Sequence, residues 1–263
     1  MKRISITLSS LILLSLLFSA CAGRSDASHT LTVYAAASLT EAFTEIGNAF
    51  ESEYAGVTVV LNFGGSQNLR TQIEQGAPAD VFASANAKEM DALIAQGFIE
   101  PAAPQIFLTN RLVVILPKDN PARVTSLEDL SKPNLKLVLA AEEVPAGRYA
   151  RQVLENLNSM FGADYKDRVL ANVVSNEDNI RQAVTKVQLG EADASIVYVS
   201  DAVAAPELQQ IEIPVEVNVL AEYPIAALTE SVNSELADQF IAFVLSPDGQ
   251  SILEKWGFTP VNP

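Results

Sequence analysis

Short apolar runs rich in β-branched residues alternate with amphipathic helical patterns along this chain, starting near Leu31. In the first helical pattern, Leu39, Phe43, Ile46 and Phe50 recur at the spacing of one helix face. The predicted strands are 31–35, 57–63, 81–83, 112–116, 137–140, 172–174, 195–199 and 211–220. The predicted helices are 39–54, 67–75, 87–95, 127–130, 147–160, 179–189, 234–245 and 247–256. Regular alternation of this kind predicts an α/β fold in which helices cover central sheets.

Several of the predicted strands end in small or hydroxyl residues. Four of these strand ends lead directly into a predicted helix, at 33–39, 62–69, 144–150 and 176–183, and a fifth, at 195–203, places a tyrosine at the end of an apolar strand. The first turn of a helix leaves backbone N–H groups unpaired at the positive end of the helix dipole. Several such helix starts that converge would form a cradle for an anion.

These segments also have interpretations that need no ligand. Ser38 precedes Glu41 by three residues, which is the spacing of a helix-capping box. Gly64 and Gly65 suit a plain strand-to-helix turn, and a tyrosine such as Tyr198 in an apolar strand more often packs in a core. On these residues alone, both interpretations stay open.

Five segments taken together resemble the periplasmic molybdate-binding proteins, which are the solute receptors of ABC importers. The segments are AAASL at 35–39, FGGSQ at 63–67, GAPADVFASA at 76–85, EEVPAGRYA at 142–150 and IVYVSDA at 196–202. The resemblance implies the two-lobed type II fold of periplasmic binding proteins, in which each lobe is a central mixed sheet flanked by helices and the ligand cleft lies between the lobes. Because the family crosses twice between lobes, it implies a first lobe of 31–109 plus 225–263 and a second lobe of 110–224.

The resemblance also implies a site made of neutral hydrogen-bond donors. It assigns the hydroxyl groups of Ser38, Ser66 and Tyr198 and the backbone N–H groups of Ala146 and Ile180 to molybdate, or to tungstate, which has nearly the same size and charge. The ion would be held through its oxygen atoms, so no direct coordination of the metal and no cofactor is expected.

Charge and rare residues restrict the function. The formal net charge of −15 disfavours nucleic acid as a partner. The only histidine is His29, and nucleophile or phosphate-loop motifs such as G-x-S-x-G are missing from the sequence, so we expect a binding protein and not an enzyme. Arg148 lies close to the predicted site in the sequence, but we expect it to be an exposed helix residue without a role in binding.

The expected partners are the molybdate oxyanion and the permease of an ABC transporter, with the chain itself a monomer. Three other functions stay open at this point. The chain could be a receptor for another tetrahedral oxyanion such as sulfate, a surface lipoprotein hydrolase, or an adhesin or structural lipoprotein. A hydrolase would need a nucleophile beside a base, and the sequence contains no motif of that kind.

The N-terminal segment predicts export and a lipid anchor. Lys2 and Arg3 precede an apolar run at 8–18, which is the order of a secretory signal peptide. Cys21, the only cysteine, follows at the cleavage position, and the segment resembles a lipoprotein signal of residues 1–20 followed by a lipid-anchored tether at 21–30. The alternative is an ordinary signal peptide with an incidental cysteine. Either one predicts an extracytoplasmic protein, and the first also predicts attachment to the cell membrane through a lipid.

Overall fold

The computed structural model describes residues 29–261 of the chain. The predicted signal peptide and Cys21 therefore lie outside the described residues. The strands are β1 (His29–Ala36), β2 (Val57–Gly64), β3 (Val81–Ala83), β4 (Gln105–Asn110), β5 (Leu112–Leu116), β6 (Leu137–Ala140), β7 (Val173–Glu177), β8 (Ala194–Tyr198), β9 (Gln209–Glu212), β10 (Ala221–Ala227) and β11 (Thr259–Pro260). The α-helices are α1 (Thr40–Glu53), α2 (Ser66–Glu74), α3 (Ala87–Ala95), α4 (Pro145–Phe161), α5 (Tyr165–Leu170), α6 (Ile180–Gln188), α7 (Val199–Val203), α8 (Ser234–Leu245) and α9 (Pro247–Lys255).

The strands form two mixed sheets, one in each lobe. The first sheet has six strands in the order β11-β4-β10-β3-β1-β2, and the second has five in the order β7-β6-β8-β5-β9. In the first sheet β1 runs parallel to β2 and β3, whereas β10 runs antiparallel to β3. In the second, β6 runs parallel to β7 and β8, and β5 runs antiparallel to β8. The predicted α/β fold with two lobes and central mixed sheets is confirmed.

The chain crosses between the sheets twice. It leaves the first sheet between β4 and β5, and it returns between β9 and β10. The side chain of Asn218 ties the two crossings together, because it donates a hydrogen bond to the carbonyl of Leu112 at 2.8 Å and accepts one from the Leu112 N–H at 3.1 Å. All of β10 belongs to the first sheet, so the return is complete by Ala221, ahead of the boundary expected at 224–225.

Proline is involved in two of the differences between the predicted and the observed strands. The strand expected at 211–220 ends at Glu212, because Pro214 cannot donate to a ladder and its carbonyl instead accepts turn hydrogen bonds from Val217 and Asn218. The predicted strands also leave out β4 and β10, and β10 contains Pro224. The sheet accommodates this proline at a register shift between Tyr223 and Pro224.

Aromatic side chains fill the core of the first lobe. The rings of Phe43 and Phe50 on α1 pack edge-to-face against Phe240 on α8, with centroids 6.1 and 5.3 Å apart. Phe43 also meets Phe107 of β4 at 5.8 Å. These contacts hold α1 against the sheet, so that its N-terminus lies beside the ends of β1 and β2. Among residues 29–261, no helix has the length and apolar character needed to cross a bilayer.

Candidate functional site

A small cavity lies between the two lobes and brings together all five predicted site residues. Its volume is about 10 Å³, which is about the space that one water molecule needs, so the two lobes leave little free room between them in this structure. The residues that line it are all uncharged: Ala36, Ala37, Ser38, Gly64, Gly65, Ser66, Ala85, Val144, Pro145, Ala146, Ile180 and Tyr198. The side chains around the cavity thus offer hydroxyl groups and apolar surface, without a counter-charge.

Two buried serines face this cavity from the first lobe. Ser38 lies in a short 3-10 turn between β1 and α1 and is 4% exposed, and Ser66 is the first residue of α2 and is fully buried. The Ser66 hydroxyl oxygen accepts a hydrogen bond from the Ala85 N–H at 3.1 Å, which leaves its hydrogen available to a ligand. Ser38 does not form the capping box with Glu41, because no side chain caps α1. Its hydroxyl lies 3.0 Å from that of Tyr223.

Two helices of the second lobe begin at the same cavity. Helix α4 has Pro145 in its first turn and no side-chain cap, and Ala146 is its second residue. Ile180 is the first residue of α6, where the Asn179 side chain accepts a hydrogen bond from the Gln182 N–H at 3.2 Å. Since both helix starts are buried and carry the positive end of a helix dipole, they favour negative charge in the cavity.

Tyr198 provides the most informative polar atom of the site. It ends β8, is 1% exposed, and lines the cavity. Its hydroxyl oxygen is buried and has no hydrogen-bond partner within residues 29–261, whereas buried polar groups are nearly always paired. Burial, with the nearby Tyr223 as a further cause, raises the pKa of Tyr198 well above its usual value. The hydroxyl therefore keeps its proton at neutral pH and can donate it to a ligand in a hydrogen bond.

Behind Tyr198 lies a buried carboxyl group. Asp201 accepts a hydrogen bond from the Tyr198 N–H at 3.2 Å, which holds the turn from β8 into α7. Its other oxygen lies 3.6 Å from the Arg181 guanidinium. Burial raises the pKa of Asp201 to about 7, although Arg181 acts in the opposite direction. Asp201 thus bonds to the backbone N–H of Tyr198 and not to its phenol.

Comparison with known proteins identifies the family of this chain. The family of bacterial extracellular solute-binding proteins matches residues 31–259. This chain belongs to that family. The molybdate-binding protein ModA of Mycobacterium tuberculosis is 37% identical over 238 residues, which cover 90% of this chain and 87% of ModA.

Two solved structures show the same fold. A substrate-binding domain of a putative molybdenum ABC transporter from Clostridium difficile is 33% identical, with a TM-score of 0.67, and the match covers 89% of this chain and all of that one. The sulfate-binding protein SubI of Mycobacterium tuberculosis H37Rv has a TM-score of 0.79 at 18% identity, over 89% of this chain and 88% of SubI. At that identity the likeness to SubI concerns the fold alone.

Polar side chains join the lobes of this solute-binding protein next to the cavity residues. Gln67, beside Ser66, donates a hydrogen bond to the backbone carbonyl of Asp178 at 3.1 Å. Arg181, beside Ile180, forms an ion pair with Glu41 on α1. These contacts cross between the lobes beside buried cavity residues, so separation of the lobes would break them and would open the cavity to a ligand.

Arg148 is less exposed than the exposed helix residue that was expected. Its side chain is 33% exposed and lies 3.8 Å from the nearly buried carboxylate of Glu89, which belongs to the other lobe. Glu89 also accepts a hydrogen bond from Arg70 at 2.8 Å. Arg148 does not line the cavity, so its contact with Glu89 concerns the closed arrangement of the lobes and not the ligand.

Sequence patterns did not identify three residues that support the site of this solute-binding protein. Tyr223 contacts Ser38, Ala85 donates to Ser66, and Asp201 holds the turn after Tyr198. The aspartate three residues after Tyr198 is a capping-box signal that could have been noticed. Tyr223 carried no local signal, because it lies 185 residues from Ser38. No cluster of metal-ligating side chains occurs in the part of the chain that the structure describes.

Proposed function

We propose that this chain is an extracytoplasmic receptor that captures molybdate, or tungstate, and delivers it to the permease of an ABC importer. The observation that carries the proposal is the convergence of five strand ends and helix starts on one uncharged cavity between the lobes. The named relative ModA, a molybdate-binding protein, supports the choice of ligand. Competition between molybdate and sulfate for the purified soluble domain tests this choice directly.

The proposed binding residues are those expected from the sequence. Ser38, Ser66 and Tyr198 would donate hydrogen bonds from their hydroxyl groups, and Ala146 and Ile180 would donate from their backbone N–H groups. A hydrogen bond to a charged group stabilises by about 1.5–3 kcal/mol, so several such donors can hold a dehydrated dianion without a positive side chain. The helix starts of α4 and α6 add their dipoles to these donors.

A cavity lined by hydrogen-bond donors distinguishes oxyanions that carry a proton from those that do not. Hydrogen phosphate would bring an O–H group into a place without an acceptor, and a buried donor left unpaired costs about 1–3 kcal/mol. Molybdate, tungstate and sulfate carry no proton at neutral pH, so only size separates them. The second candidate function is therefore a sulfate receptor on the same scaffold, since the uncharged lining of the cavity does not distinguish sulfate from molybdate by charge.

Closure of the lobes over the ligand leads to a prediction about Gly65. A Cβ atom at Gly65 would lie 2.6 Å from the backbone oxygen of Asp178 in the other lobe, although the φ of −61° suits any residue. We expect Gly65→Ala to keep the lobes from closing and to lower molybdate affinity about ten- to a hundredfold, since overpacking costs about 1–3 kcal/mol. Calorimetric titration measures the affinity, and small-angle scattering should show a larger radius of gyration with molybdate than the parent protein has.

Gly47→Ala is the matched control for Gly65→Ala. A Cβ atom at Gly47 would meet only side chains of β2, at 3.5 Å or more. We expect this substitution to leave both the affinity and the radius of gyration unchanged. If Gly65→Ala binds molybdate as tightly as the parent, closure between Gly65 and Asp178 is not required for binding.

We further propose that Cys21 is acylated and anchors the protein. The support is its position behind the apolar run at 8–18 and ahead of a small, polar segment. One acyl chain binds a membrane only marginally, whereas two or more anchor a protein firmly. We expect Cys21→Ser to move the protein from the membrane fraction to the soluble extracytoplasmic fraction, as measured by fractionation and immunoblotting. Unchanged membrane retention would refute acylation of Cys21 as the anchor.

A further inference from the structure

Tyr223 lies directly behind the cavity, although it does not line it. It belongs to β10, is fully buried, and its hydroxyl oxygen lies 3.0 Å from that of Ser38. Burial is the main cause that raises the pKa of the Tyr223 phenol far above its usual value. Tyr223 therefore keeps its proton at any physiological pH and presents that hydroxyl to a cavity residue.

The ring of Tyr223 is held in place from several directions. It packs edge-to-face against Phe107, Phe258 and Tyr198, with centroids 6.4, 5.9 and 5.7 Å away. The register of β10 against β4 shifts immediately after Tyr223, at Pro224. Irregularities of this kind re-aim side chains near functional sites. The position of the hydroxyl is thus set by the packing of its own ring and by the sheet.

When an anion is bound, the hydrogen bond between the hydroxyl groups of Ser38 and Tyr223 has a defined direction. An anion in the cavity accepts the hydrogen of Ser38, so the Ser38 oxygen must then accept the hydrogen of Tyr223. The resulting chain runs from Tyr223 to Ser38 to the anion, and each bond in it strengthens the next.

We propose that Tyr223 is a positioning residue that keeps Ser38 a donor and so makes the site reject oxyanions that carry a proton. This inference rests on the proposed function. The Ser66 hydroxyl is kept a donor in the same way, because its oxygen accepts a hydrogen bond from the backbone N–H of Ala85. A side-chain substitution at Ala85 does not remove that N–H group. Tyr223 is therefore the side chain through which the part of the selectivity that depends on Ser38 can be changed.

The test compares molybdate with arsenate, a tetrahedral oxyanion that carries a proton near neutral pH. Without the Tyr223 hydroxyl, the Ser38 oxygen is free to accept that proton in a hydrogen bond. We expect Tyr223→Phe to weaken molybdate binding by about two- to tenfold and to lower the ratio of molybdate to arsenate affinity by at least about tenfold. Calorimetric titration with each anion measures the ratio.

Tyr165→Phe is the matched control. Tyr165 is also a fully buried tyrosine, and its hydroxyl donates to the backbone carbonyl of Leu127, away from the cavity. Both substitutions remove one buried hydroxyl, so both can lower the melting temperature. Only Tyr223→Phe should change the affinity ratio, which a merely structural role would leave unchanged.

A double-mutant cycle with Ser38→Ala shows whether Tyr223 acts through Ser38. In the Ser38→Ala background, Tyr223→Phe should leave the ratio unchanged, because the oxygen that it would free is already gone. An equal drop of the ratio in both backgrounds, or no drop in the parent background, would overturn the inference while the proposed function stands. If the parent protein binds no molybdate, the proposed function fails and the inference falls with it.

Discussion

Molybdate should raise the melting temperature of the soluble domain by about 8–16 °C when its concentration is a thousandfold above the dissociation constant. A ligand that binds only the folded state stabilises it by about 4 kcal/mol at that excess. For a domain of this size, each kcal/mol shifts the melting temperature by about 2–4 °C. Differential scanning fluorimetry with a panel of oxyanions measures this shift, and tungstate should match molybdate.

Phosphate and sulfate are the controls for this experiment. Phosphate should fail because its proton finds no acceptor among the donors of the cavity. Sulfate should fail because donors carried by the rigid starts of α2, α4 and α6 cannot all follow a smaller ion. A melting temperature that rises with sulfate and is constant with molybdate would make the chain a sulfate receptor, and indifference to every oxyanion would refute the proposed function.

Tyr198→Phe should lower molybdate affinity by about ten- to a hundredfold. The substitution keeps the ring in its packing and removes one hydrogen bond to a charged ligand, which is worth about 1.5–3 kcal/mol. The stability of the ligand-free protein should not fall, since the buried Tyr198 hydroxyl has no hydrogen-bond partner among residues 29–261. Calorimetric titration measures the affinity, and thermal unfolding without ligand measures the stability.

Arg148→Ala distinguishes a charge-free site from one that depends on a cation. The Arg148 side chain is one-third exposed and 3.8 Å from Glu89, and Glu89 keeps its hydrogen bond from Arg70, at 2.8 Å, when Arg148 is removed. We expect a change in molybdate affinity of less than about fivefold. If Arg148→Ala abolishes binding while Tyr198→Phe leaves it intact, the proposal of a site made of neutral donors is wrong.

The local patterns of the chain predicted most of the elements that carry the site. The runs at 81–83, 112–116 and 137–140 were predicted with the observed bounds of β3, β5 and β6, and the helices at 87–95 and 234–245 with those of α3 and α8. Periodicity succeeds there because each segment buries one face or is buried on all sides. It failed at β10, where Pro224 interrupts a strand that the neighbouring strands nevertheless stabilise.

The sequence by itself determined which residues can donate hydrogen bonds, and that they follow strand ends or begin helices. Ser38, Ser66 and Tyr198 carry this information in their side chains, and the starts of α4 and α6 carry it in their backbone. Those properties depend on a residue and its near neighbours, so a local pattern contains them.

Only the tertiary structure determined which distant residues these donors contact and that the donors converge on one cavity. Ser38 meets Tyr223 across 185 residues, Gln67 meets Asp178 across 111, and Arg181 meets Glu41 across 140. Such contacts depend on how two sheets pack and where the chain crosses between them, and a single sequence has no local signal for either. The cavity, the contact between the Ser38 and Tyr223 hydroxyl groups and the contact of Arg148 with Glu89 arise from that packing.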